Sequence, residues 1–240
     1  MIHKTFQPLS NRALPKDLAP RLLHRFSTSE GYTLAPGLPS LLRSLKQQSG
    51  ATTHPYRIVV GVITNSDDRV PGILSSFGLR ISPFRFGSHI NLNEVVEQQY
   101  DIDFHCMSYD VGFAKPDRRI FNAAEAMFKR LIAAHDDAKP GPGSGRVDED
   151  APWLKLYVGD ELDKDGKGAC DAGWSSVVVQ LSGANIERQE KVLDLHQCGT
   201  ATLDDVFPRG GSPTMIQAES VQMLVEWLIQ QSAGKYGELS

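Results

Sequence analysis

A surplus of positive charge is the first thing this sequence lacks. Its 25 Lys and Arg face 29 Asp and Glu, for a formal net charge of -4. No basic stripe stands out to neutralise a nucleic-acid backbone, so composition gives that partner class no support. Cysteine is scarce. Cys106, Cys170 and Cys198 are odd in number, widely spaced and form no CxxC pair. A disulfide framework or cysteine-rich zinc site is thereby disfavoured, and a reducing compartment, the cytoplasm, is the expected location. Long apolar runs are missing too. None approaches the ~18 residues of a membrane span, and the N-terminus has no signal-peptide core. Residues 1–29 are poor in acid and carry Lys4, Arg12, Lys16, Arg21 and Arg25, which keeps a mitochondrial transit peptide as an alternative.

What is present is ordinary globular material: 240 residues, 40% hydrophobic, enough for one α/β domain with a core. Leu18, Leu22 and Phe26 recur at helical spacing, as do Leu38, Leu41, Leu42 and Leu45. Gln47–His54 reads as a loop. The run from Ile58 to Ile63 is apolar on both faces, which predicts a buried parallel strand. It ends at Thr64-Asn65-Ser66, before a helix through Val70, Ile73, Leu74 and Phe77 that Gly78 can stop. Residues 81–114 read as irregular, with one short strand near Phe104–Met107. Pro116 and Asp117 open a helix with the stripe Ile120, Phe121, Ala124, Phe128, Leu131 and Ile132. Residues 136–152, rich in Pro, Gly and acid, read as a surface insertion. Strands at Leu154–Val158 and Ser176–Leu181 and a terminal helix through Val221, Leu224, Val225, Leu228 and Ile229 complete the pattern. Such alternation predicts a doubly wound, mostly parallel α/β sheet. Ligands then bind where loops leave the carboxyl ends of the strands, so Thr64, the Lys115 region and Asp160 should converge at one edge.

Each of those residues has two readings. A hydroxyl at Thr64, beside free backbone N–H groups, can cradle a phosphate. Equally, Thr64, Ser66 or Asp67 can cap the helix. Lys115 stands at a helix start, where the macrodipole is already positive, so an anion opposite it is the better explanation than solvation alone. Asp160, Glu161, Asp163 and Asp165 crowd one turn after a strand. Either Mg²⁺ screens them or water does.

The order and phrasing of these segments are more specific than any one of them. ITNSDDR (63–69), SYDVGFAKPDRRIF (108–121) and VGDELDKDGKGACDAGW (158–174) resemble motifs II, III and IV of the haloacid dehalogenase (HAD)-like hydrolases. Within that superfamily the nearest resemblance is to the haloacid dehalogenase-like hydrolase domain-containing protein 3 group. The resemblance runs from about residue 14 to 181. It implies that Thr64 and Asn65 bind a transferring phosphoryl group and that Lys115 neutralises nucleophile and phosphate. It also implies that Asp160 holds Mg²⁺, with Asp165 as a second ligand or an orienting group. Such roles fit phosphoryl transfer, which needs positioning and charge neutralisation. The implied substrate is a small phosphorylated molecule.

One motif has no match. The family's nucleophile is the first aspartate of D-x-D-x-[TV], on a strand upstream of motif II. Here the first 57 residues contain two acids, Asp17 and Glu30, and neither follows an apolar run. Asp101-Ile102-Asp103 has the spelling but not the position, and Asp148-Glu149-Asp150 lies in the insertion. By resemblance, residues 1–30 are the remnant of a helical cap and 31–240 the core, with the motif I strand and most of the cap absent. That strand would lie centrally, so its absence should leave two strand edges unpaired, at about 1–3 kcal/mol per unsatisfied buried group. The expectation is a truncated hydrolase of the Mg²⁺-dependent phosphatase type, inactive as written. The alternative is a non-catalytic binding or regulatory protein. Open edges are compatible with a homodimer.

Other α/β readings fail on sequence. Gly166-x-Gly168 does not directly follow a strand, as a dinucleotide fingerprint requires. GPGSGRV (141–147) lacks the lysine and hydroxyl of a P-loop.

Overall fold

The structure, a computed structural model, describes residues 13–48, 57–138, 153–179, 192–194, 202–208 and 211–234. Two helices come first, α1 (Leu18–Ser27) and α2 (Leu38–Gln48), joined through a 3-10 turn at Ser29–Gly31. Strand β1 (Gly61–Thr64) follows, then α3 (Val70–Ser76), α4 (Leu92–Val96), β2 (Phe104–Met107), α5 (Ser108–Val111) and the long α6 (Arg118–Ala138). Next come β3 (Leu156–Gly159), a π-helical turn (Leu162–Lys167), α7 (Gly168–Asp171) and β4 (Ser175–Val179). The last elements are β5 (Val192–Asp194), α8 (Leu203–Val206), β6 (Met215–Ala218) and α9 (Val221–Gly234).

Every strand pair is parallel, as the alternation predicts, but the strands form two blocks. β1 pairs with β2, Gly61 opposite Phe104 and Thr64 opposite Met107. The other four strands run in the order β3-β4-β6-β5. Among the described residues no ladder joins the blocks. Instead Tyr157, on β3, donates its hydroxyl to the Ile63 carbonyl on β1 at 3.0 Å. A side chain thus meets, at one point, the strand edge that the sequence predicts to be open. Val158 beside it is 39% exposed.

Helix α6 holds the blocks together. Its buried Ile120, Phe121, Ala124 and Leu131 pack with Ile63 and Cys106 of the first block and with Tyr157, Ala169 and Ala172 of the second. Phe121 meets the Tyr157 ring edge-on at 5.3 Å between centroids. Burying one such ring stabilises by about 1.5–3 kcal/mol. The second block has its own core, where Val177, Val206 and Ile216 pack against Leu224 of α9.

Several sequence expectations are corrected. The apolar run from Ile58 becomes strand only at Gly61, and β1 is an edge whose single buried residue is Ile63. The cause is that its described ladder partner lies on one side only. Just upstream, the Val60 N–H donates to the Asp103 carboxylate at 2.8 Å, and the Val60 carbonyl accepts the Asp103 N–H at 2.7 Å. The segment 81–114 is less irregular than it reads, since it contains α4 and α5. The elements β5, α8 and β6 are not anticipated at all. Helix α1 has the expected stripe but no buried residue, with Leu23 and Phe26 exposed. It is tied to α3 by the Ser29 N–H donating to Ser76 Oγ at 2.7 Å. Helix α6 takes the first residues assigned to the insertion, and 139–152, including Asp148-Glu149-Asp150, lie outside the described residues. No helix among the described residues is long and apolar enough to cross a membrane.

Candidate functional site

Thr64 and Asn65 lie at the carboxyl end of β1, facing the loop that enters α6. Thr64 does not cap a helix, because α3 starts only at Val70 with Arg69 as its N-cap. Asp67 takes the capping-type role by accepting the Arg69 N–H at 3.2 Å. Asn65 instead clasps Lys115. Its Oδ1 accepts the Lys115 N–H at 2.6 Å and its Nδ2 donates to the Lys115 carbonyl at 3.0 Å. An exposed amide could not fix a chain so far along the sequence with one bond; two bonds set both position and direction.

The Lys115 side chain turns inward and is 11% exposed. Its ammonium donates to the Tyr157 hydroxyl at 2.5 Å and to Asp165 Oδ1 at 2.6 Å. The anion expected opposite this lysine is therefore supplied by the protein itself. Asp165 is nearly inaccessible, and its Oδ2 accepts the N–H groups of Asp160 and Glu161, each at 3.0 Å. Burial alone raises the Asp165 carboxyl, but Lys115 and the two backbone donors outweigh it and hold the group below the usual carboxylate range. Burial likewise pushes the Tyr157 phenol up, with Asp165 adding to it, so the phenol stays protonated and can donate to Ile63.

Two glycines make this arrangement sterically feasible. A Cβ at Gly159 would collide with the Asp165 carboxylate folded over it. A Cβ at Gly168 would come within 2.8 Å of Pro116 Cβ, the residue after Lys115. The π-helical turn Leu162–Lys167 is what swings Asp165 back over β3: the N–H groups of both Asp165 and Gly166 reach the Glu161 carbonyl.

The sequence leaves the acidic turn to Mg²⁺ or water, and the structure shows lysine partners for most of its carboxylates. Asp165 pairs with Lys115, Glu161 with Lys164 at 2.7 Å and Asp163 with Lys167 at 2.7 Å. Lysines pair with three of the four carboxylates, which leaves exposed Asp160. Among the described residues no group of three or more His, Cys, Asp or Glu is arranged to hold a metal. Both oxygens of Asp165 are engaged, so it orients and does not offer a free ligand. A hard cation wants about six oxygens, and this turn offers it one carboxylate without a lysine partner, Asp160.

Thus Asn65, Lys115, Asp165 and the Asp160 backbone are joined by a continuous set of contacts, and Thr64 immediately precedes Asn65 at the end of β1. Tyr157 is the member that sequence reasoning misses. Its only signal is a phenol inside an otherwise apolar strand, which must find a partner if buried. Asp101 and Asp103 sit at the other end of β2, beside Phe104 and not Met107. Asp101 is buried among Arg43 Nη2 at 3.0 Å, Arg80 Nη2 at 3.1 Å and the Arg80 N–H at 2.9 Å. Burial opposes its charge, but the two arginines bring its carboxyl to about 2. Asp103 is held by Lys46, and burial raises its carboxyl. Both are engaged structurally.

An open cavity of about 450 Å³ adjoins the edge, lined by Asn65, Ser66, Asp67 and Arg69 on one side and by Ser108, Tyr109, Gly112, Phe113 and Ala114 on the other. Thr64, Lys115 and Asp160 do not line it.

No family model matches the chain. In sequence it is 27% identical over 163 residues to a Schizosaccharomyces pombe protein described as an uncharacterized hydrolase, covering 68% of this chain and 54% of that one. It is also 27% identical over 179 residues to an uncharacterized Saccharomyces cerevisiae protein, covering 75% of this chain and 48% of that one. The chain spans about half the length of the curated relatives it matches. Among solved structures, a HAD phosphatase from Thermococcus onnurineus aligns with a TM-score of 0.43 at 18% identity, covering 78% of this chain and 62% of that one. A HAD-hydrolase from Bacillus subtilis, crystallised with magnesium, aligns with a TM-score of 0.39 at 19% identity, covering 66% and 50%.

Proposed function

We propose that the edge formed by Thr64, Asn65, Lys115 and Asp160 is the phosphate-handling side of a HAD-type phosphomonoester hydrolase. The observation that carries this reading is the inward Lys115 ammonium, oriented by Asp165 and Tyr157, with the lysine's backbone clasped by Asn65 at the end of β1. In this role Lys115 neutralises phosphate charge, Thr64 donates to a phosphoryl oxygen, and Asn65 fixes the lysine's position. The attacking carboxylate would belong on a strand between β1 and β3, the span that the Tyr157 phenol crosses to reach the Ile63 carbonyl. Mg²⁺ in a whole enzyme would contact Asp160, with further ligands from that strand, and would add charge neutralisation at the phosphate. Helix α1 is then part of a cap, and the substrate is a small phosphorylated molecule.

The test is a Mg²⁺-containing p-nitrophenyl phosphate assay combined with phosphate binding followed by ³¹P NMR. The chain should give no turnover, yet broaden the phosphate signal in a way that Lys115→Met abolishes. Turnover lost on Asp101→Asn or Asp103→Asn would overturn the reading, as would phosphate broadening indifferent to Lys115. A binding role without catalysis is the second reading. It is favoured by Tyr157 already bridging β1 and β3, since the lysine is then held in place with no attacking group present.

A further inference from the structure

Of the phosphate-handling residues only Asn65 lines the cavity, and the cavity's chemistry is specific. Two aromatic side chains border it: Tyr109, 70% exposed, and Phe113, 37% exposed. Large apolar side chains held in the open are the informative exceptions on a protein surface. Their placement is fixed. The Tyr109 N–H donates to the Ser66 carbonyl at 3.2 Å, which ties the start of α5 to the loop after β1. Gly112, with φ 78°, ends α5 and turns the chain so that Phe113 follows on the cavity side. Arg119 lies over the Phe113 ring at 3.4 Å from its centroid, bracing it.

Charge narrows the occupant. Arg69 lines the cavity, but Asp67 binds its guanidinium at 2.8 Å and 2.9 Å. Arg119 is likewise taken by Asp117. Each guanidinium charge is already paired with a carboxylate, so a diphosphate or a carboxylated leaving group meets no unpaired cation among the lining residues. Asn65 is shared, lining the cavity and holding Lys115 by two hydrogen bonds.

We infer that this cavity is the leaving-group subsite, and that it takes a phosphate monoester whose leaving group is neutral and carries an aromatic ring stacked by Tyr109 and Phe113. This inference rests on the phosphate reading of the Thr64–Lys115 edge. Aromatic stacking tolerates many rings, so the shared chemistry, a neutral ring close to one phosphate, covers both small aryl phosphates and nucleoside monophosphates.

The test is a calorimetric titration of the chain with phenyl phosphate, adenosine monophosphate, glycerol phosphate and inorganic phosphate. It is repeated on Tyr109→Ala, Phe113→Ala and Tyr109→Phe. A ring ligand should bind about tenfold tighter than glycerol phosphate, the scale of one stacked ring. Each alanine variant should bring that ratio toward one, while Tyr109→Phe keeps it. A preference for phenyl phosphate alone assigns a small aryl ester, and an equal or greater one for adenosine monophosphate assigns a nucleotide. If inorganic phosphate binds and no ring preference exists, or the preference survives both alanine variants, the inference is wrong while the phosphate reading stands. If no phosphate compound binds at all, both fall.

Discussion

Replacing Asp165 by alanine removes three contacts at once: the Lys115 ammonium at 2.6 Å and the N–H groups of Asp160 and Glu161 at 3.0 Å each. The side chains of Asp165 and Lys115 are 4% and 11% exposed, so water rescues neither fully. Breaking a buried pair by deleting one partner costs about 3–5 kcal/mol. With an m-value of about 2 kcal/mol/M, a 3 kcal/mol loss moves the urea midpoint down by about 1.5 M. Lys115→Met gives a different signature, because the carboxylate stays and keeps its two backbone donors. In the wild type the folded carboxyl lies below its unfolded value of about 3.9. Its stabilisation is therefore complete above that pH and is lost as pH falls through the folded value. In Lys115→Met, burial is no longer outweighed by the ammonium, so the folded carboxyl rises. The variant's deficit should be largest near pH 7 and shrink toward pH 4, as protonation relieves the uncompensated charge. Urea denaturation at intervals from pH 4 to 7 measures this. A Lys115→Met deficit constant across that range, or additive losses in Lys115→Met/Asp165→Ala, would refute a buried, charge-coupled pair.

Three further outcomes follow from the same contacts. Tyr157→Phe strips the Ile63 carbonyl of a donor and Lys115 of an acceptor while leaving the ring packing on Phe121 intact. The loss should be about 1–3 kcal/mol in urea denaturation, and a loss below about 0.5 kcal/mol would show that the phenol does not join the blocks. Gly159→Ala forces the Asp165 carboxylate off the backbone and should abolish the upward shift in the Lys115→Met titration, since the pair is already separated. His105 is buried, and burial, then Arg85, lower its imidazole to about 4, so its ring proton resonances should not titrate between pH 5 and 8. Because the unfolded histidine binds its proton near 6.5, this group costs stability progressively as pH drops from 6.5 toward 4.

What could be read from the sequence is what depends on local periodicity. The stripe from Ile120 to Ile132 forecasts α6 because each of those residues falls on one helical face, and all but half-buried Phe128 are buried. Gly78 marks the end of α3 because its φ of 83° favours glycine. The run from Ile58 misleads because continuous apolarity reports burial on both faces in a full sheet. Here the pairing on one side is absent from the described part, and nothing in Ile58–Val60 itself says so. β5 and β6 span only three and four residues, too short for a period of two to stand out in the sequence, although Ile216 and Ala218 of β6 are buried. At the site, the spacing of acids after Gly159 is plain in sequence, but which lysine answers which acid is not. The pairs Glu161 with Lys164 and Asp163 with Lys167 follow from helical spacing and are recoverable. The pair of Asp165 with Lys115 is separated by 50 residues and needs the fold.

That long-range pair also explains why the glycines around it stand where they do. Lys115 must reach across from the loop before α6 to the strand β3, and the chain closes that distance by contact of bare backbone. Gly168 lets the turn press against Pro116, which brings Lys115 alongside β3, and Gly159 lets Asp165 lie flat over the strand end. Asp165 then spends one oxygen on two N–H groups of its own turn and the other on the lysine, so the turn, the strand and the lysine become one rigid unit. Asn65 attaches β1 to that unit through the lysine's backbone, and Tyr157 attaches it again through the Ile63 carbonyl. The two sheet blocks are therefore registered to one another by polar contacts centred on Lys115, in addition to the apolar packing of α6. A site built this way keeps its geometry across a gap between strands, which is the physical condition for it to bind an anion whether or not a further strand occupies that gap.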